Sequence, residues 1–206
     1  IPIAEDIGLI EKIGAWVIRE GCLTAAAWPT PMRIAVNLSP RQFAGSGLYA
    51  GIAAALRDSG LPPSRLELEV TESLLLKTDA LVESTLVAIK ALGVRIALDD
   101  FGTGYSSLSY LRKYRFDKLK IDQSFISDIE TNADSRAIVD AVIRLGHDLG
   151  MSIAAEGVET EGQYDILRRL GCGEIQGYLI GRPVPADEMA RFLGVTGKPR
   201  PVRRIA

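Results

Sequence analysis

Histidine and cysteine are almost missing from these 206 residues: there is one His, His147, and two Cys, Cys22 and Cys172, with no CxxC pair. That scarcity excludes a disulfide-stapled secreted scaffold and a zinc site built on nitrogen and sulfur ligands. It fits a reducing cytoplasm, with the chain expected to be cytoplasmic or the cytoplasmic domain of a larger membrane protein. No apolar run approaches the roughly 18 residues that a membrane span requires. The chain opens on Ile1-Pro2 rather than on a basic stretch, so no signal peptide is expected. An excess of one charge is missing as well. The 24 Lys and Arg stand against 26 Asp and Glu, a formal net charge of −2, which argues against an electrostatic grip on duplex nucleic acid. A hydrophobic share of 47% excludes disordered and fibrous classes and leaves a globular chain long enough to bury a sizeable core.

What is present alternates between two kinds of segment. Short β-rich runs occur at Arg33–Leu38, Arg65–Thr71, Arg95–Asp99, Lys118–Ile121, Ser152–Glu156 and Glu174–Tyr178. Between them lie helical stretches. Ile138, Val142, Leu145 and Leu149 are spaced as one buried stripe, and Ile10, Ile13 and Val17 as another. Thr160 with Gln163 reads as a capping box, and Gly60, Gly93, Gly150 and Gly171 fall where left-handed helix C-caps are expected. Repeated strand–helix alternation predicts parallel strands with helical crossovers. The architecture that closes this alternation is the (β/α)8 TIM-like barrel, typically about 250 residues. A shorter chain opening on a helix predicts a modified barrel missing its first strand here, with an open doubly wound sheet as the competitor. From Val195, prolines, glycine and four basic residues replace apolar content, so 1–194 reads as the domain and 195–206 as a loosely ordered basic tail.

Polar groups recur at the carboxyl ends of the β-rich runs: Asn37, Glu69 with Glu72 just beyond, Asp99-Asp100, Lys120 and Asp122, Glu156, and Gln176. In a parallel barrel those ends meet at one mouth, where barrel active sites lie. Several acids converging there repel one another unless a cation neutralises them. All the candidate ligands are oxygen donors, which points to Mg²⁺ or Mn²⁺. Adjacent Asp99 and Asp100 suit a two-metal site, which can clamp the attacking and leaving oxygens of a phosphoryl displacement. Lys120, set among acids, suits water positioning or charge stabilisation rather than a Schiff base. The bland readings stand beside these. Asn37 could simply cap the following helix, and Gly102 and Gly104 could only permit a tight turn. His147 reads as a surface residue and both cysteines as buried small hydrophobes. The DFG string lacks the other kinase segments, so a kinase reading fails.

Taken together, the strings resemble an EAL domain, the bacterial cyclic di-GMP phosphodiesterase family. The resemblance runs through Ile1–Glu5 (IPIAE), Val36–Ser39 (VNLS), Glu67–Ser73 (ELEVTES) and Asp99–Leu108 (DDFGTGYSSL). It continues through Lys118–Phe125 (KLKIDQSF), Ala155–Thr160 (AEGVET) and Gln176–Pro183 (QGYLIGRP). It implies a modified (β/α)8 barrel that hydrolyses cyclic di-GMP to linear pGpG with two Mg²⁺ or Mn²⁺ ions per site. Asn37, Glu69 and Asp99 would hold the first ion, and Asp99, Asp100 and Glu156 the second. Lys120 would contact the nucleophilic water, Glu72 would anchor the Asp100–Ser107 loop, and Gln176, Glu159 and Asp122 would serve the substrate pocket. The family's Glu-Ala-Leu segment and an Arg that grips a substrate phosphate are expected just upstream of Ile1 and are not among these residues. The resemblance further implies an upstream GGDEF or sensor domain and a homodimer. A catalytically silent cyclic di-GMP receptor is the alternative.

Overall fold

All six β-rich runs form strands in the computed structural model, which describes residues 1–45, 47–76, 80–103, 108–186 and 188–191. The first elements are α1 (Pro2–Asp6), α2 (Ile10–Ala26), β1 (Ile34–Leu38), α3 (Leu48–Ser59), β2 (Leu66–Thr71), α4 (Glu72–Leu76) and α5 (Ala80–Ala91). They are followed by β3 (Arg95–Phe101), α6 (Leu108–Tyr114), β4 (Lys118–Ile121), α7 (Gln123–Ile126), α8 (Ala133–Asp148), β5 (Ser152–Ala155), α9 (Glu161–Leu170) and β6 (Glu174–Ile175). The strands take the order β1-β2-β3-β4-β5-β6. Pairing is parallel between β1 and β2, between β4 and β5, and between β5 and β6. That is the arrangement helical crossovers impose. Among the described residues no helix is long and apolar enough to cross a membrane. The expected tail, 195–206, lies outside the described residues.

Contacts divide the chain into two compact units, Ile1–Ala97 and the part from Leu98 onward, with β3 passing from one into the other. In the first unit β1 and β2 pair in the register Val36↔Leu68 and Asn37↔Glu69. Leu66, Leu68 and Val70 are fully buried, and so are Glu67 and Glu69 on the alternate positions. A buried Glu needs a partner, and Glu67 has one in Arg95 at 3.3 Å. Arg65 closes the C-terminal end of α2, donating to the Ala25 carbonyl at 2.7 Å and the Met32 carbonyl at 2.9 Å. Ser39, not Asn37, caps the short turn Pro40–Ala44, in a capping box with Gln42. The capping alternative for Asn37 is thereby removed.

In the second unit β4 and β5 pair in the register Lys120↔Ala154 and Ile121↔Ala155. The α8 stripe differs from the sequence expectation. Ser135, Val139, Ile143 and Gly146 are buried, whereas Ile138 and Leu149 are 43% and 41% exposed. The seam is shifted by one residue, with small residues, Ser135 and Gly146, at its two ends. A Cβ on Gly146 would lie 2.0 Å from Ile153 Cδ1, so the helix sits directly on β5 there. The α2 seam behaves alike: Ile10, Gly14, Ile18, Cys22 and Ala25 are buried, while Ile13 and Val17 flank it half-buried. Helix α9 opens on the expected Thr160–Gln163 capping box and ends on Gly171 in the left-handed region at φ 83°.

Strand ends also differ slightly. β3 runs on to Phe101, and β6 stops at Ile175 instead of Tyr178. Past Ile175 the chain keeps hydrogen bonding but not as a strand. Gln176 donates to Ala155, Val158 donates back to Gln176, and Leu179 donates to Val158. A Cβ on Gly177 would lie 2.2 Å from the Val158 carbonyl oxygen, so only glycine fits this crossing.

Candidate active site

Strands β3, β4 and β5 deliver the charged groups, all of which lie in the second unit. Asp99 and Asp100 come from the end of β3, Lys120 from β4, and Glu156 from the residue after β5. Asp99 and Lys120 are buried. The Lys120 Nζ lies 3.0 Å from Asp99 Oδ1 and 2.6 Å from Glu156 Oε1. Asp99 Oδ1 also accepts from the Asp100 N–H at 3.1 Å. Asp100 itself is half-buried and sits in the left-handed region at φ 54°, which only a few non-glycine types tolerate. Burial pushes its carboxyl above the usual carboxylate range. Asp99 and Asp122 push it further, and Lys120 pulls it back.

Ligand oxygens of Asp99, Asp100 and Glu156 all lie within 4.8 Å of one another. Three hard oxygen donors at that spacing, held against an ammonium, fit a divalent cation of the Mg²⁺ or Mn²⁺ class. The Lys120 ammonium supplies part of the neutralisation that such a gathering of carboxylates demands.

Other expected site residues are placed as follows. Asp122 is the N-cap of α7, its Oδ1 accepting from the Ser124 N–H at 2.9 Å. Asp122, Gln123, Gly157 and Glu159 line a cavity of about 370 Å³ beside the cluster's loops. Glu159 is exposed and its N–H donates to Gln163 Oε1 at 2.7 Å. Gln176 is exposed, its backbone tied to Ala155 and Val158. In the first unit, Asn37 and Glu69 are register partners at the ends of β1 and β2, Asn37 exposed and Glu69 buried. Parallel register partners share a face. Glu72 is buried at the start of α4. Of the Asp100–Ser107 loop, residues 104–107 lie outside the described residues. Gly102 makes a tight turn at φ 98°, where a Cβ would strike the Phe125 ring.

Sequence reading missed Gly157 and the second role of Gln163. Gly157 stands inside the AEGVET string, and a Cβ on it would lie 2.5 Å from Gln123 Cβ. Its signal was a glycine directly after a strand-end acid.

The EAL domain family model matches residues 1–183. This chain belongs to the EAL domain family. Its fold is accordingly that of EAL domains, a modified (β/α)8 TIM-like barrel. Among relatives, the EAL domain is 46% identical over 193 residues to the bifunctional diguanylate cyclase/cyclic di-GMP phosphodiesterase MucR of Pseudomonas aeruginosa. That alignment covers 92% of this chain and 28% of MucR. The solved complex of PaMucR phosphodiesterase with c-di-GMP is similar at 46% identity and a TM-score of 0.85, covering 91% of this chain and 78% of that one. BlrP1 of Klebsiella pneumoniae, solved with manganese and cyclic di-GMP, is 32% identical with a TM-score of 0.75, over 84% of this chain and 45% of that one. The EAL domain spans about a quarter of the length of the curated relatives it matches.

Proposed function

We propose that this EAL domain is a metal-dependent phosphodiesterase that hydrolyses one phosphodiester bond of cyclic di-GMP to linear pGpG. The observation that carries the reading is the gathering of Asp99, Asp100 and Glu156 within 4.8 Å around the Lys120 ammonium. MucR and BlrP1, solved with cyclic di-GMP, supply the substrate class by similarity. Asp99, Asp100 and Glu156 are the residues that would hold divalent cations. Asn37 and Glu69 are carried as further oxygen donors on the family resemblance. Bound Mg²⁺ or Mn²⁺ supplies Lewis-acid polarisation of the scissile phosphate.

This chain's own groups do the rest. Lys120 fixes the separation of Asp99 and Glu156 and offers an N–H to orient the attacking water. Asp122, Glu159 and Gln176 are proposed to contact the nucleotide, and Glu72 to anchor the loop after Asp100. In the reaction a water oxygen bonds to phosphorus, the bridging bond to the sugar 3′-oxygen breaks, and that oxygen leaves with the water's proton. A GGDEF or sensory segment is proposed to accompany the domain in the whole protein, as a cyclase activity accompanies it in the name of MucR.

The test is chromatographic detection of pGpG after Mg²⁺ or Mn²⁺ is added to a chain that also carries the Glu-Ala-Leu strand the family resemblance places upstream of Ile1. Asp99→Asn and Glu156→Gln should each lower kcat at least roughly 100-fold with the fold intact, as loss of a directly acting charged group does. Tight binding of cyclic di-GMP without any product from that complete wild-type domain would overturn the enzyme reading in favour of a receptor.

A further inference from the structure

Gln163 makes more hydrogen bonds than a helix cap requires. Its side chain is 5% exposed. Oε1 accepts from the backbone N–H of Glu159 at 2.7 Å and of Thr160 at 3.1 Å. Nε2 donates to the carbonyls of Ile126 at 3.2 Å and Ser127 at 3.5 Å. A capping box uses only the bond from the N-cap N–H to this position. The other end of the amide crosses 37 residues to the last residue of α7 and 36 to the turn that follows it.

Those two segments are the ones that follow the cluster's strands. Helix α7 follows Lys120 on β4, and Glu159–Thr160 follow Glu156 at the end of β5. The 156–160 stretch is seated closely on its other sides too. Gly157 lies on Gln123, Val158 is crossed by Gly177, and the Glu156 N–H donates to the Ile121 carbonyl at 3.1 Å. A buried amide satisfied at both ends therefore joins two segments that also meet where the Thr160 hydroxyl donates to Glu130 and through close contact at Gly157.

We propose that Gln163 is a positioning residue for the Asp99–Asp100–Glu156 cluster. By tying the turn after α7 to the loop after β5, it sets the reach of Glu156 toward Lys120 and toward a bound divalent cation. The inference rests on the metal-binding reading above. Outer partners that orient a ligand are worth roughly 10–100-fold in metal affinity or activity.

Gln163→Glu is the deciding variant. It keeps the acceptor oxygen for the Glu159 and Thr160 N–H groups, and Glu is equally favoured in a capping box, but it sets a carboxylate oxygen against two carbonyls. Thr160→Ala is the comparison, because it removes the hydroxyl half of the cap together with that hydroxyl's bond to Glu130, and leaves the amide bridge as the remaining hydrogen-bonded tie under test. Three readouts apply: Mn²⁺ binding by electron paramagnetic resonance, kcat and KM for cyclic di-GMP, and amide hydrogen exchange of residues 156–160 without metal. Gln163→Glu should weaken Mn²⁺ binding or kcat roughly 10–100-fold and speed exchange across 156–160. Thr160→Ala should lower the thermal midpoint while Mn²⁺ affinity stays near wild type. Should Gln163→Glu fail to fold, Gln163→Met, uncharged and of similar volume, takes its place against the same comparison. Wild-type Mn²⁺ affinity and exchange in the Gln163 variant overturn the proposal. So does a loss of affinity in both variants that merely tracks their stability. Should the wild-type domain, carrying the strand expected upstream of Ile1, bind no Mn²⁺, the metal reading fails, and the exchange comparison by itself decides Gln163.

Discussion

Asp100 is held where its own charge is a liability. Burial, then Asp99, then Asp122 raise its carboxyl above the usual range, against a smaller pull from Lys120. The folded protein therefore retains the proton at a pH where the unfolded chain has released it. Stability associated with this group is fully present below the unfolded pKa of about 3.9 and is lost as pH rises through the folded value. Asn cannot ionise, and it tolerates the φ of 54° found here. Metal-free Asp100→Asn should thus unfold at higher urea than the wild type at pH 7, with the difference closing near about pH 3.5, below the unfolded pKa. With Mn²⁺ present the order should reverse, because the variant lacks one donor carboxylate. A metal-free variant that is less stable at pH 7 would show that attraction, not crowding, governs Asp100. Strain of this kind at one residue is what a cation site looks like before its charge is balanced. The sequence made Asp99, Asp100, Lys120 and Glu156 legible because strand-end polar residues are conspicuous against apolar runs. It could not show that Lys120 bridges two of the acids, since that depends on which strands are neighbours. Nor could it show that Gln163 reaches the end of α7 and the turn after it, since a capping box is a local pattern and the second pair of bonds spans 37 and 36 residues.

Among the elements, strands were easier to place than helix faces. A β-rich run in a parallel sheet that is buried on both sides is marked by its apolar composition, as in β5, where Ile153, Ala154 and Ala155 are all buried. A helix face must be chosen from several, and hydropathy points to large side chains. In α8 the large Ile138 lies toward solvent while Ser135 and Gly146 lie in the seam. Close approach of helix and sheet selects small residues at the contact, which a hydrophobic stripe leaves out. The consequence can be measured by urea unfolding. Ile143→Ala, at a site 1% exposed, should cost about 2–5 kcal/mol as a buried truncation. Ile138→Ala should stay within about 0.5 kcal/mol, as for other surface changes. Gly146→Ala should destabilise by about 1–3 kcal/mol through overpacking against Ile153, despite the roughly 1 kcal/mol that Ala gains over Gly in a helix. Equal losses at Ile138 and Ile143 would restore the seam expected from hydropathy.

Across residues 1–206, near-neutrality depends on residues 195–206. The formal charge is −2, and four of the 24 basic residues, Lys198, Arg200, Arg203 and Arg204, lie in 195–206, where there is no acid. Removing that stretch takes the charge to −6, while the family model ends at residue 183 and does not need it. The proposed substrate carries two phosphate charges, so its approach should respond to the overall field, whereas the chemical step at the Asp99–Glu156 cluster should not. A chain ending at Gly194 should keep the wild-type thermal midpoint and the wild-type kcat with Mn²⁺. Its kcat/KM should fall at low ionic strength and return to the wild-type value at about 0.5 M salt, where the screening length is only several ångströms. Steady-state kinetics at matched free Mn²⁺ would decide the matter. A loss of kcat that persists at high salt would place 195–206 within the catalytic unit, because screening removes a field effect but not a missing structural contact.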